Sequence, residues 1–182
     1  MNHKIKLLCC SFILGLASVA SSEENWQAEI LGITRTFSEL AQKQDVMDYS
    51  LRHMHEQVLG AVANQLGQTN NEALQTMRAG YTSSSDALEV ISHNIFPQNA
   101  QFGDTQGWKW GAVPYGSQMR LRGNGGELPS SCSWLLVFED NEIWFFNSAH
   151  SGSAKTRTLL ASGLPGPMAE IVNELEPPQC DP

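Results

Sequence analysis

Apolar residues recur at spacings of three and four along the N-terminal third of the chain. No proline interrupts residues 23–96. The spacing is that of the a and d positions of a coiled coil, so it predicts one amphipathic helix from Asn25 to about Leu66 that could break at Gly60 or Gly67. The seam positions, of which only Gln44 is polar, are Ile30, Ile33, Phe37, Leu40, Gln44, Met47, Leu51, Met54, Val58 and Ala61.

A helix of this length exceeds the width of a small domain, so the seam has two interpretations. In one, the helix hides its apolar face inside its own chain. In the other, it protrudes and packs on a second copy or on another protein. Under the second interpretation the candidate partner-binding residues are Ile30, Ile33, Phe37, Leu40, Met47, Leu51 and Met54.

Two short helices are predicted next. Asn70 or Asn71 could cap a helix over residues 72–79, and Gly80 is a natural stop. Ser84 or Ser85 could then cap a second helix over residues 87–91, before a Phe-Pro pair that cannot continue it.

The pattern changes from residue 99 onward. The segment 99–118 is rich in Gly and aromatic residues and is predicted to be a loop, followed by a short strand over 118–123 and a turn at "NGGE". The strongest strand signal is "SWLLVFEDNEIWFF", two apolar runs around an acidic turn.

Residues 155–162 could add an edge strand, and Met168 to Leu175 reads as a terminal helix. Helices followed by an antiparallel sheet predict the α+β class.

The N-terminus has the pattern of a signal peptide. Lys4 and Lys6 precede an apolar run from Leu7 to Leu16, and small residues end at Ala20, where we expect cleavage. A retained anchor or a lipoprotein is the alternative. The expected organisation is a signal peptide over 1–20, a long amphipathic helix over 21–66 and an α+β domain over 67–182.

Charge and cysteine content narrow the class of protein. The full chain has a net charge of −8, and loss of residues 1–20 would leave 9 basic and 19 acidic residues. Such an acidic chain is a poor ligand for nucleic acid or an anionic membrane. Beyond the signal peptide only Cys132 and Cys180 remain, which in an oxidising compartment predicts one disulfide, with two free thiols as the alternative.

The sequence contains no clear motif for a catalytic or a metal-binding site. His150 lies near serines and acids, but without a nucleophile elbow. His53 and His55 are two apart, which on a helix points their rings away from each other. The acids Glu139, Asp140 and Glu142 occupy a predicted turn, and His93 is expected near a helix end. We expect no catalytic residue, no metal and no cofactor.

Three aromatic residues, Trp108, Trp110 and Tyr115, lie in the predicted Gly-rich loop. Exposed rings of this kind would form a binding surface for a glycan or a protein. The alternative is that they cover the core between helix and sheet.

The order of these features resembles the soluble half of type IVb pilins, such as toxin-coregulated and conjugative thin-pilus pilins. The matching features are Leu74, Tyr81, the serines at 83–85, Phe96-Pro97, Trp110-Gly111 and the Cys132/Cys180 pair. The resemblance covers residues 58–182 and implies an antiparallel sheet head with a late disulfide.

The N-terminus departs from that family. Gly15 is followed by Leu16 without an acid at the fifth position, and the apolar run precedes the candidate cleavage site. The resemblance therefore implies a non-enzymatic pilin-like relative in the periplasm or outside the cell. It would bind pilus, conjugation or secretion components and could form homo-oligomers through the helix. The competing hypothesis is a small periplasmic binding or inhibitor module of the immunity-protein kind.

Overall fold

The computed structural model describes residues 10–123, 125–140, 142–148, 164 and 166–180, with the backbone alone for 10–24, 140 and 142–148. The predicted edge strand at 155–162 and His150 lie outside the described residues. The described part is α+β, with helices leading into an antiparallel sheet, which confirms the predicted class.

Five α-helices are described. They are α1 (Cys10–Gln42), α2 (Met47–Arg52), α3 (Glu56–Leu66), α4 (Asn70–Ala87) and α5 (Gly166–Glu174). No helix in the described ranges combines the length and the apolar character that crossing a membrane requires.

The described residues form a sheet of five strands, β1 (Leu88–Ile95), β2 (Gln101–Thr105), β3 (Trp108–Leu121), β4 (Ser131–Asp140) and β5 (Glu142–Ser148). All pairings are antiparallel, in the order β1-β3-β4-β5, with β2 paired to the first part of β3. A 3₁₀ turn at Pro97–Asn99 joins β1 to β2, so both strands lie along the same side of β3.

The expectation of one helix from Asn25 to about Leu66 is wrong, because the helix ends at Gln42. Gln44 adopts the left-handed conformation with φ 57°. The N–H of Gln44 bonds the carbonyl of Ala41 at 3.0 Å, and the N–H of Asp45 bonds that of Leu40 at 2.8 Å. These two bonds form a Schellman motif, which normally uses Gly or Asn at the left-handed position. The predicted end at Gly67 is confirmed, since Gly67 is left-handed with φ 65°.

The expectation of a helix that stops at Gly80 and restarts at Ser84 is also wrong. Helix α4 runs without a break through Gly80 to Ala87, and residues 88–95 form strand β1 instead of a second helix. The N-cap is Thr69, one residue before the predicted Asn70. Its hydroxyl accepts from the N–H of Glu72, and that carboxylate accepts from the N–H of Thr69. This reciprocal pair is a capping box.

The predicted loop at 99–118 is in fact β2 and most of β3. A proline in a central strand normally argues against a strand, because it cannot donate to the ladder. Pro114 lies on β3 between the stretches that pair with β1 and β2, and its carbonyl accepts from the N–H of Phe96 at 2.9 Å. The N and O atoms of one residue point to the same side of a strand. The missing N–H of Pro114 therefore faces the gap between β1 and β2, and no ladder hydrogen bond is lost.

Helix α1 covers one face of the sheet. A buried stripe along α1 packs on β3 and β4, and the cluster comprises Trp26, Ile30, Phe37, Ala41, Val113, Tyr115, Leu135 and Val137. Gly111 makes this approach possible, since a Cβ there would lie 2.7 Å from a methyl group of Ile30.

The opposite face of the sheet carries α5 and the C-terminal tail. Met168 and Ile171 of α5 pack with Trp134, Leu136 and Phe138 of β4. The disulfide between Cys132 and Cys180 fastens the tail to this face, with Cα atoms 5.8 Å apart. The predicted disulfide is therefore confirmed, and the molecule has helices on both faces of its sheet.

Candidate functional site

A partly open groove of about 280 Å³ lies beside strand β1. Its walls are the C-terminal end of α1 with the following turn, the last turns of α4, and the strands β1 and β3. Its apolar lining is contributed by Phe37, Ala41, Val46, Leu88, Val90, Tyr115 and Met119. Concave, mainly apolar sites with a few polar groups are the usual form of small-ligand pockets.

Gln44 and Arg122 hold the walls of the groove together. The Gln44 amide donates to the Leu88 carbonyl at 2.9 Å, and its oxygen accepts from the Arg122 guanidinium at 2.7 Å. Arg122 also donates to the Leu88 carbonyl at 2.9 Å. These bonds reach carbonyls where α4 becomes β1, so the break in α1 that the sequence did not predict builds one wall of the site.

An aromatic group forms the floor. The rings of His93 and Tyr115 are stacked, with centroids 4.9 Å apart and 16° between their planes. Phe37 lies 5.6 Å from His93 and 6.2 Å from Tyr115, both measured between ring centroids. Offset stacking and edge-to-face contacts of this kind add to the free energy of area burial.

His93 is held in its neutral form. Burial lowers the pKa of His93 from 6.5 to about 4, because the charged ring would lose its hydration. Ser38 of α1 contacts the same residue twice: its hydroxyl lies 3.0 Å from His93 Nδ1 and bonds the His93 carbonyl at 3.0 Å. The prediction that His93 lies near a helix end is wrong, since it belongs to strand β1.

Hydroxyl groups from a single helix, α4, line one side of the groove. Tyr81, Ser84 and Ser85 of α4 all line it. The Tyr81 oxygen accepts weakly from the N–H of Val46 at 3.5 Å, and Ser84 donates to the Gly80 carbonyl at 2.9 Å. At the floor, Ser117 shares a 2.7 Å bond with Ser131. The rim can therefore accept and donate hydrogen bonds without carrying a charge.

The seam residues do not lie on one helix, because they are divided among α1, α2, α3 and the turns after α1 and α2. Ile30 and Phe37 are buried against the sheet, whereas the other five candidate partner-binding residues are half-buried. The buried stripe of α1 is offset from the seam and includes Thr34 and Ser38. Thr34 bonds the Leu31 carbonyl at 3.0 Å, which satisfies its hydroxyl inside the core.

Trp108, Trp110 and Tyr115 lie on strand β3 and not in a loop. Trp108 and Trp110 are half-buried and pack against the cluster under α5, and Tyr115 is buried under α1 on the other face. The Trp110 N–H donates to Thr105 at 3.1 Å. The structure therefore separates the predicted aromatic set between the two faces of the sheet.

The other candidate groups are dispersed. His53 and His55 lie in the turn between α2 and α3. His53 contacts the Tyr49 carbonyl, and His55 caps α3 by accepting from the N–H of Gln57. No group of three metal-ligating side chains occurs among the residues that the structure describes. Glu139 lies on β4, and Asp140 and Glu142 are described by backbone alone.

Sequence reasoning missed the groove because it misassigned its walls. Gln44 was expected at a seam position within a helix, and residues 88–91 were expected to be helical. The usable signal was the β-branched pair Val90-Ile91 next to Leu88, which is typical of a strand.

Comparison of the chain with protein-family models, with curated proteins and with solved structures finds no match.

Proposed function

We propose that this chain is a non-enzymatic, extracytoplasmic interaction protein of the pilin-like kind, which acts beside a type IV pilus, a conjugation apparatus or a secretion machine. The arrangement of helix and disulfide supports the proposal. Helix α1 packs on one face of an antiparallel sheet, and the Cys132–Cys180 bond holds the C-terminal tail on the other face. This is the order of elements that the resemblance to type IVb pilin heads implies.

The disulfide also supports the extracytoplasmic part of the proposal, because structural disulfides persist in oxidising compartments. The tail that it fastens makes two further hydrogen bonds to the body. The Trp134 N–H donates to the Glu176 carbonyl at 2.8 Å, and the Asn99 amide donates to the Gln179 carbonyl at 3.1 Å.

The surface offered to a partner is formed by helices α3 and α4. Helix α4 buries only Ala73 and leaves most of its side chains exposed. At the end of the adjacent α3, Leu66 is 47% exposed. Because Ile30 and Phe37 pack in the core, we place the partner surface on α3 and α4 in preference to the seam of α1.

The test measures complex formation by light scattering. The purified protein is mixed in turn with the pilin, conjugation and secretion components of its own host. The variants Leu66→Asp and Gln75→Asp, on α3 and α4, should weaken binding at least tenfold, whereas Asp104→Asn on β2 serves as an exposed control and should bind normally. A protein that stays monomeric and binds none of these components contradicts the proposal.

The alternative immunity-type function depends on Trp108 and Trp110 as contact residues. The packing of both rings against the cluster under α5 does not favour it.

A further inference from the structure

Side-chain hydrogen bonds hold the walls of the groove beside β1. Gln44 links the turn after α1 to the α4–β1 junction through its bond to the Leu88 carbonyl, and Arg122 donates to both that carbonyl and the Gln44 oxygen. A site whose walls are already held in place loses little conformational freedom on binding, so more of the contact free energy appears as affinity.

Among the described residues that line the groove, none has a side chain that is charged at neutral pH. This is notable in a chain with 11 basic and 19 acidic residues. An ionised ligand would give up its hydration here without meeting an opposite charge among these lining side chains, which is unfavourable. The nearby guanidinium of Arg122 already donates to the Leu88 carbonyl and to the Gln44 oxygen. His93 does not change this picture, because burial keeps its pKa at about 4. The groove therefore selects uncharged ligands.

The floor favours a planar ring over an aliphatic chain. Phe37, His93 and Tyr115 line the groove with three aromatic rings within 6.2 Å of one another, of which Phe37 and Tyr115 reach the groove only by small exposed parts (4% and 7%). A ligand ring can extend this cluster by stacking or by an edge-to-face contact, each of which is stronger than the burial of an equal aliphatic area. At the mouth, the hydroxyls of Tyr81 and Ser85 can bond one polar atom of the ligand.

The volume limits the size of the ligand. About 280 Å³ corresponds to roughly nine water molecules at liquid density, so the occupant has on the order of ten non-hydrogen atoms. We propose that the groove binds a small, uncharged aromatic molecule, with its ring on Phe37, His93 and Tyr115 and its polar atom at the rim. This inference goes beyond the proposed interaction function and does not depend on it.

The probe is indole, titrated into the ¹⁵N-labelled protein and followed by amide chemical shifts. We expect saturable shifts concentrated at residues 37, 81–93 and 115–119. Two probes of similar size to indole define the chemistry: benzoate carries a negative charge, and cyclohexanol lacks an aromatic ring. Each should bind at least tenfold more weakly than indole. Equal affinity for the carboxylate or for cyclohexanol would overturn the ligand class, and indole shifts elsewhere would overturn the site.

A pair of variants on α4 tests the location. Ser85→Leu places a larger side chain into the groove, whereas Ser83→Leu changes an exposed position that does not line it. We expect the first to weaken indole binding at least tenfold and the second to leave it unchanged. Ser84→Leu, which also fills the mouth, replaces Ser85→Leu if that variant does not give a folded amide spectrum. Wild-type affinity in a folded groove-filling variant would rule out the site.

Discussion

At the scale of single residues, His93 is a titratable side chain that the fold largely removes from water. Its ring contacts those of Phe37 and Tyr115, and Ser38 contacts both its ring and its carbonyl. Because burial lowers its pKa from 6.5 to about 4, the folded protein holds this ring neutral over a range where the unfolded chain protonates it. The residue therefore links folding to pH.

The sign of this linkage follows from proton binding. Between pH 6.5 and about 4 the unfolded state binds more protons at this residue, so the stability that His93 contributes is complete above pH 6.5 and is lost as pH falls toward 4. The shift corresponds to about 3 kcal/mol. We predict that the wild type loses 2–3 kcal/mol more than His93→Gln between pH 7 and pH 4, on the order given by that shift.

Urea denaturation at the two pH values measures this difference. Comparison with the variant cancels the contribution of carboxylates such as Glu89, whose pKa the hydrogen bond from Arg120 lowers. If the wild type and the variant lost equal amounts of unfolding free energy, protonation of His93 would not be linked to folding.

At the scale of elements, the neighbouring structure decides where helices end. Gly80 lies inside α4, and a Cβ there would meet no atom within 4 Å. Gly67 ends α3 in the left-handed conformation with φ 65°, where a side chain is strained although the surrounding space is open. The same residue type therefore has opposite roles in adjacent helices.

Alanine substitutions at the two glycines should change stability in opposite directions. Gly80→Ala should stabilise the protein by up to about 1 kcal/mol, because alanine loses less backbone entropy in a helix. Gly67→Ala should destabilise it by about 1 kcal/mol, since alanine disfavours positive φ. Thermal unfolding of both variants, with wild type alongside, measures the effect, and destabilisation by Gly80→Ala would contradict the continuous α4.

At the scale of the whole molecule, the sheet is covered on one face by α1 and on the other by α5 and the tail. The tail is attached through the Cys132–Cys180 disulfide, which spans a sequence separation of 48. In the chain-entropy account such a cross-link stabilises mainly by restricting the unfolded chain, by about 4 kcal/mol for a loop of this length.

Removal of this cross-link should therefore destabilise the whole domain. We predict that Cys132→Ser combined with Cys180→Ser lowers the free energy of unfolding by 2–4 kcal/mol, on the order expected for a native disulfide. Guanidinium denaturation of the double variant and of the oxidised wild type measures the change. Reduced wild type is the matched control and should behave like the variant, and an unchanged midpoint would mean that the bond contributes no stability.

Local sequence patterns were enough to predict several strands, the disulfide and the fold class of this protein. The apolar runs that flank an acidic turn predicted β4 and β5, and the two cysteines after residue 20 predicted the disulfide, as the structure shows. These predictions succeeded because each depends on neighbouring residues or on a single possible pair. The α+β class followed from the order of the elements alone.

The tertiary structure decided what local pattern could not. The seam predicted an unbroken helix, yet Gln44 adopts a left-handed conformation while its side chain bonds Leu88, 44 residues away. Pro114 lies within a strand because its missing donor faces the gap between β1 and β2. Partners distant in sequence stabilise both conformations, and the groove beside β1 exists only where those distant segments meet.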